Sequence, residues 1–263
     1  MKIAYIGFGE AARAFTDSLL GTESVEFTAA YDIVQTDAMR EAAKQRGLRF
    51  ETEIAQALQG ADWVISAVTA DQSYIAAENA LEALQPGQLF IDINSVSPGR
   101  KQKTAALVAQ RGAHYLDMAV MAPVHPRGHA TQVLVAGEQA QAVAADLKKL
   151  DFNFEVISAQ AGEATAIKMV RSMFVKGLEA LTVEVSLAAS ATGCYDRVIS
   201  SLAETFPGLG WPDNISYMFE RTLDHGIGRA EEMREVAANY AELEDGPLQD
   251  AVSNVVAMRL QNK

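Results

Sequence analysis

The chain is short of several things, and each shortage narrows what it can be. It has one cysteine, Cys194, in 263 residues. A lone thiol makes no intramolecular disulfide, and no zinc-type ligand spacing is present. Cys194 is therefore expected to be a small apolar filler, and no metal site is expected. Positive charge is scarce as well, with 22 Lys and Arg against 34 Asp and Glu and a formal net charge of −12. So acidic a surface repels phosphate backbones and anionic headgroups, which argues against nucleic acid and membrane partners. A small anionic substrate must then be gripped by a local cluster of cations. No apolar run reaches the ~20 residues that cross a bilayer. The opening MKIAYIGFGE runs straight into a strand and a glycine loop, without the apolar core and cleavage site of a secretory leader. A cytoplasmic protein is the expectation. What is present suits a folded protein of two ordinary domains: the hydrophobic fraction is 49% and the charged fraction 21%.

Apolar periodicity predicts strands at 2–6, 25–31, 50–52, 63–68, 89–93, 114–118 and 132–136. Helices are predicted at 10–20, 37–46, 54–59, 71–84 and 99–111. Strands alternating with helices make βαβ units and a mainly parallel sheet. Near residue 160 the strands stop and long helical patterns take over. The expected fold is thus α/β: a Rossmann-type doubly wound parallel sheet over 1–160, then an all-α domain over 161–263.

Gly7-Phe8-Gly9-Glu10-Ala11-Ala12 fits G-x-G-x-x-G/A and has the context that gives the pattern meaning, following a strand and opening a helix. Gly7 permits a tight turn, Gly9 lets a pyrophosphate reach the backbone, and Ala12 allows close helix–strand packing. The free N–H groups of the helix end would face the phosphates. Asp32 ends the second strand, twenty residues after Ala12. A carboxylate there accepts from ribose hydroxyls and repels a 2′-phosphate. Ile33, Val34, Gln35 and Thr36 follow without a cation, which favours NAD, while Arg40 keeps NADP possible. A strand-end cap is the alternative role for Asp32.

Residues 163–192 form the other informative stretch. As one helix they span ~45 Å. On a helical wheel Lys168, Arg171, Ser172, Lys176, Glu179, Thr182, Ser186 and Ser190 share an arc of about 140°, and apolar residues fill most of the rest. A helix of this kind is expected to be buried on most sides, with its narrow polar stripe facing a cleft or a wet interface. Lys168, Arg171 and Lys176 cluster at one end, which is costly in a half-buried setting unless anions bind there.

With these motifs in this order, the chain resembles the β-hydroxyacid dehydrogenase superfamily, which includes 6-phosphogluconate and 3-hydroxyisobutyrate dehydrogenases. Its C-terminal part is similar to a poorly characterised branch. The resemblance implies an NAD(P)-dependent oxidoreductase acting on a small hydroxy or polyhydroxy acid. The family's glycine-led catalytic segment is matched by Gly162 through Lys168, so Lys168 takes the role of the lysine that accepts the hydroxyl proton. That role needs a lowered lysine pKa, for which Arg171 and Lys176 are the sources the sequence offers. The family's asparagine is Ser172 here. The family's loop after the fifth strand reads Asp92-Ile93-Asn94-Ser95-Val96-Ser97-Pro98, placing Ser95 on the substrate carboxylate and Asn94 near the nicotinamide. Val68 and Thr69 fall in the cofactor-lining loop after the fourth strand. Asp117-Met118-Ala119-Val120-Met121-Ala122-Pro123 lacks the two glycines of the matching family motif, so the pocket differs there. His225 or Arg229 stands for a further family lysine that meets the substrate. The acidic residue that the decarboxylating enzymes carry seven positions after the lysine is Val175 here, with Glu179 one turn on. Reversible dehydrogenation is therefore expected ahead of oxidative decarboxylation or isomerisation. Imine reduction and a non-catalytic dinucleotide sensor are the competing readings. The largely apolar helix in a small domain implies a homodimer.

Overall fold

The computed structural model describes residues 1–241, 257–259 and 261. Its first part is built from β1 (Lys2–Ile6), α1 (Glu10–Leu19), β2 (Glu26–Tyr31), α2 (Asp37–Lys44), β3 (Arg49–Glu51), α3 (Ile54–Leu58), β4 (Trp63–Ser66), α4 (Ser73–Ala80), β5 (Leu89–Asp92), α5 (Pro98–Ala109), β6 (His114–Val120), β7 (Val133–Ala136), α6 (Ala140–Lys149) and β8 (Phe154–Ser158). The helices α7 (Glu163–Ala191), α8 (Tyr195–Thr205) and α9 (Asp213–Ala241) follow.

One sheet holds all eight strands in the order β3-β2-β1-β4-β5-β6-β7-β8. The strands alternate strictly between two cores: Ile3, Tyr5, Ile65 and Ile91 point to one face, Ala4, Ile6, Val64 and Phe90 to the other. Burial on both faces is what the near-continuous apolar strands demand. β1 to β6 are parallel, as expected, and the order reverses between β1 and β4, where open sheets of this kind place their ligands. β7 runs antiparallel to β6 because residues 121–132 turn back without a crossover helix; α6 then returns the chain to a parallel β8. The sequence reading leaves α6 and β8 unassigned. Ser97 caps α5 by accepting the N–H of Arg100, with Pro98 in the first turn.

The chain divides into two compact units, Met1–Lys168 and Met169–Lys263. The division falls inside α7, later than the expected boundary at 160. The first turn of α7 belongs to the sheet unit because the Asp117 carboxylate of β6 accepts from the amides of Gly162 and Thr165.

In the second unit α7 departs from the expected burial on most sides. Its polar stripe is buried, with Ser172, Lys176, Glu179, Thr182 and Ser186 all below a tenth exposed. Part of its apolar side is open, with Val170 55% exposed, Phe174 70% and Leu181 54%, while Met169 and Ala180 are buried. The reason is polar pairing, since Ser172 and Lys176 meet Glu232 of α9, and Glu179 meets Arg229. A small apolar core of Met169, Ala180, Ala230, Met233, Val236 and Ala257 accompanies these pairs. Among the described residues no helix is long and apolar enough to cross a membrane, and no group of His, Cys, Asp and Glu could hold a metal ion.

Candidate active site

The glycine loop joins β1 to α1 and forms one wall of a cavity of about 430 Å³. Gly7, Gly9 and Glu10 line it from the loop, Asp32, Ile33 and Val34 from the end of β2, and Val68 and Thr69 from the end of β4. Gly7 is required by geometry: its φ is +84°, and an added Cβ would lie 2.3 Å from the carbonyl oxygen of Ala67. Gly9 is required by what must come next. Its φ of −76° suits any residue, and a Cβ there would meet nothing within 4 Å, so the space in front of it is open. No side chain caps α1, which leaves its first N–H groups turned to that space. Ile33, 64% exposed, and Val34 and Ile75, about half exposed, face the cavity as an apolar shelf for a planar base. Residues, volume and open helix end fit a dinucleotide.

Asp32 has a structural role that the ribose reading omits. One oxygen accepts the N–H of Phe8 at 2.7 Å and the other the N–H of Val34 at 2.8 Å, clasping the glycine loop to the end of β2. Each oxygen keeps a further lone pair for a ribose hydroxyl. Phe8 contributes its backbone only. Its ring is fully buried in the core beneath the Arg13 guanidinium, so the side chain lies away from the cavity. Ala11 also packs toward the core and is not among the lining residues.

The second constellation surrounds the loop after β5. Lys168 Nζ donates to Ser95 Oγ at 2.5 Å, bringing together the residues matched to the family's lysine and substrate serine. Asn94 does not line the cavity. It is buried, accepts the N–H of Val68 at 2.7 Å and donates to the hydroxyls of Ser66 and Ser73, so it shapes the cofactor loop from behind. Beneath the loop, Lys101 of α5 is fully buried against Asp92 and Asp117. Sequence reasoning passed over Lys101. The signal was its place on the stripe that carries Thr104 and Val108 into the core. Burial pushes the Asp117 carboxyl up, against the pull of the Lys101 ammonium, and burial together with the Asp92 charge pushes the Tyr115 hydroxyl up.

The other residues expected to meet the substrate lie in the second unit, where the chain supplies its own anions. Lys176 Nζ is 2.9 Å from Glu232 Oε1, and Ser172 Oγ donates to the same oxygen at 2.8 Å. Arg229 is paired with Glu179, both buried. Burial raises the Glu179 carboxyl, opposed by Arg229 and Lys176, and burial lowers the Arg229 guanidinium. Two of the cations expected to await a substrate anion, Lys176 and Arg229, are thus already paired with carboxylates of the chain. Arg229 keeps Nε and Nη1 buried without a hydrogen bond, donors still open to an anion. Arg171 is exposed. The side chain of His225 lies outside the described residues.

Residues 2–159 match the model described as the NAD binding domain of 6-phosphogluconate dehydrogenase, and residues 189–261 match a domain of unknown function, DUF1932. A conserved hypothetical protein from Sinorhizobium meliloti 1021 is 33% identical, over 98% of this chain and 87% of that one, with a TM-score of 0.75. The 3-hydroxyisobutyrate dehydrogenase of Mycobacterium tuberculosis is similar at a TM-score of 0.80 and 18% identity, over 100% and 94% of the two chains. An imine reductase from Myxococcus stipitatus, solved with NADP+, is similar at a TM-score of 0.63 and 17% identity, over 100% and 95%. At such identities the likeness to the last two is one of fold.

Proposed function

The chain belongs to the family of the NAD binding domain of 6-phosphogluconate dehydrogenase, and from that premise we propose that it is an NAD-dependent oxidoreductase for a small anionic hydroxy acid, with Lys168 as general acid and base. The observation that carries this reading is the hydrogen bond between Lys168 Nζ and Ser95 Oγ. A nicotinamide dinucleotide held by Gly7, Gly9 and Asp32 would supply the two-electron acceptor or donor for the reacting carbon. Ser95 orients the substrate carboxylate. Lys168, when neutral, takes the hydroxyl proton onto Nζ as that carbon is oxidised, and returns it in reduction.

NAD is favoured over NADP because the Asp32 carboxylate lines the cavity and would repel a 2′-phosphate. Arg40, the nearest cation in sequence, lies over the ring of Phe50 at 5.5 Å to its centroid. Glu179 is held by Arg229 and is not a free acid, which supports reversible dehydrogenation ahead of decarboxylation. The intact lysine weighs against imine reduction and against a sensor without catalysis. The open apolar side of α7 supports a homodimer through that helix, working in the cytoplasm.

The test is nicotinamide reduction followed by absorbance, with NAD and NADP in parallel, against a panel of hydroxy and sugar acids. Turnover of one acid with NAD, lost in Lys168→Ala while NADH still binds, is the expected result. Undiminished turnover in Lys168→Ala would remove the lysine from the chemistry.

A further inference from the structure

Beneath the Ser95 loop lies a charge that the proposed chemistry does not use. Lys101 is fully buried, a place where an ammonium persists only with anions held against it. Its Nζ donates to the backbone carbonyl of Asp92 at 2.7 Å and lies 2.9 Å from Asp92 Oδ1 and 3.4 Å from Asp117 Oδ1. Asp117 Oδ1 has no other partner in hydrogen-bond geometry, and the group it meets is the Lys101 ammonium.

Each carboxylate leads to one member of the Lys168–Ser95 pair. Asp92 ends β5 just before Ser95; its Oδ1 also accepts the N–H of Asn94 at 2.9 Å and its Oδ2 the Tyr115 hydroxyl at 2.8 Å. Asp117 Oδ2 accepts from the amides of Gly162 at 3.2 Å and Thr165 at 3.0 Å, at the start of the helix that carries Lys168. There is no slack at that helix end: a Cβ on Gly162 would lie 2.8 Å from the carbonyl oxygen of Pro98. Asp92 and Asp117 face each other in register on adjacent strands, so without a cation between them two buried like charges would force protonation or separation.

We propose that Lys101 is a positioning residue for the Lys168–Ser95 pair, one ammonium tethering through Asp92 the loop that carries the serine and through Asp117 the helix end that carries the lysine. The catalytic meaning of this clamp rests on the proposed role of Lys168; the clamp itself is tested without turnover. The probe is the Nζ resonance of Lys168 in uniformly ¹⁵N-labelled protein, assigned by its loss in Lys168→Arg and read beside NADH affinity and thermal unfolding. Lys101→Met is expected to shift or abolish that resonance with NADH affinity unchanged. Asp117→Ala, which removes both the helix-end acceptor and the anion facing Lys101, is expected to do the same, and so is Asp117→Asn, which keeps an acceptor oxygen for the amides but loses the charge that Lys101 holds. With a substrate in hand, Lys101→Met lowers kcat/KM about 10²-fold, the scale of a 1 Å misplacement. A merely structural lysine would lower the unfolding temperature and leave the Lys168 resonance in place, which would overturn the proposal. So would Asp117→Asn leaving the resonance in place, because the helix-end acceptor alone would then suffice without the charge pair to Lys101, a result that decides the matter alone if Lys101→Met fails to fold. If Lys168→Ala still turns over, the reaction reading fails and the resonance test stands.

Discussion

Replacing Gly9 by alanine separates what the glycine loop needs to fold from what it needs to bind. At Gly9 the backbone conformation is open to any residue, and the new methyl meets nothing within 4 Å. Folding therefore loses nothing, and the stiffer unfolded chain adds about 0.4–1 kcal/mol of stability. The same methyl stands in the space assigned to the pyrophosphate. Pushing a tightly seated group aside costs about 1–3 kcal/mol, which at 1.4 kcal/mol per tenfold is roughly a 5- to 150-fold rise in the NADH dissociation constant. Gly7→Ala is the contrasting variant. With φ at +84° and a Cβ 2.3 Å from the carbonyl oxygen of Ala67, it bears about 1–3 kcal/mol of backbone strain plus the overlap, and its unfolding temperature falls by at least about 2 °C. The assays are an NADH fluorescence titration and a thermal melt. Wild-type affinity in Gly9→Ala would refute the path assigned to the phosphates. A melt lowered as far as that of Gly7→Ala would refute the claim that Gly9 faces open space.

Lys168→Ala lowers turnover by about 10²- to 10⁴-fold and leaves the NADH dissociation constant unchanged; both are read by stopped-flow absorbance and fluorescence. Asp32→Ala removes the acceptor of the Phe8 and Val34 amides, so it lowers stability by about 1–3 kcal/mol in urea unfolding and narrows the preference for NAD over NADP. Phe174→Glu, on the open side of α7, is expected to yield monomers in light scattering where the wild type gives dimers; a wild-type monomer would refute the pairing. The Asp117 carboxyl titrates above its ordinary 3.8 because of burial. Its stabilising contribution is therefore complete below 3.8 and is lost as pH rises through the raised value. Asp117→Asn lacks that loss, so the stability difference moves in favour of the variant from pH 3.5 to pH 7; a difference constant with pH would contradict the assignment.

The sheet was legible in the sequence because its strands are buried on both faces and the glycine fingerprint fixes where β1 ends. β8 was not legible: it is an edge strand without a fully buried residue, so no apolar run marks it. Helix α7 was legible in length but not in orientation. A wheel shows which residues share a side, not which side is covered, and Glu232 and Arg229 lie about fifty residues farther along. The same distance hid the fate of Lys176. Asn94 and Phe8 were placed by motif at the cofactor, yet the hydrogen bonds of one and the packing of the other direct them inward. Two short motifs singled out Lys168 and Ser95 from distant parts of the sequence, and the fold brings the two within a hydrogen bond of each other.

The Asp32 clasp also bears on how fast and at what entropic cost the cofactor is captured. Both oxygens hold backbone amides before any ligand arrives, so the loop that receives the phosphates is already in shape. Capture then involves no folding of the loop, and little of the binding free energy goes to ordering the chain. The heat-capacity change of association should reflect the apolar shelf that is covered rather than a segment that condenses. Asp32→Ala converts a rigid receiver into one that must be assembled with each encounter, and the loss appears first as a slower association rate.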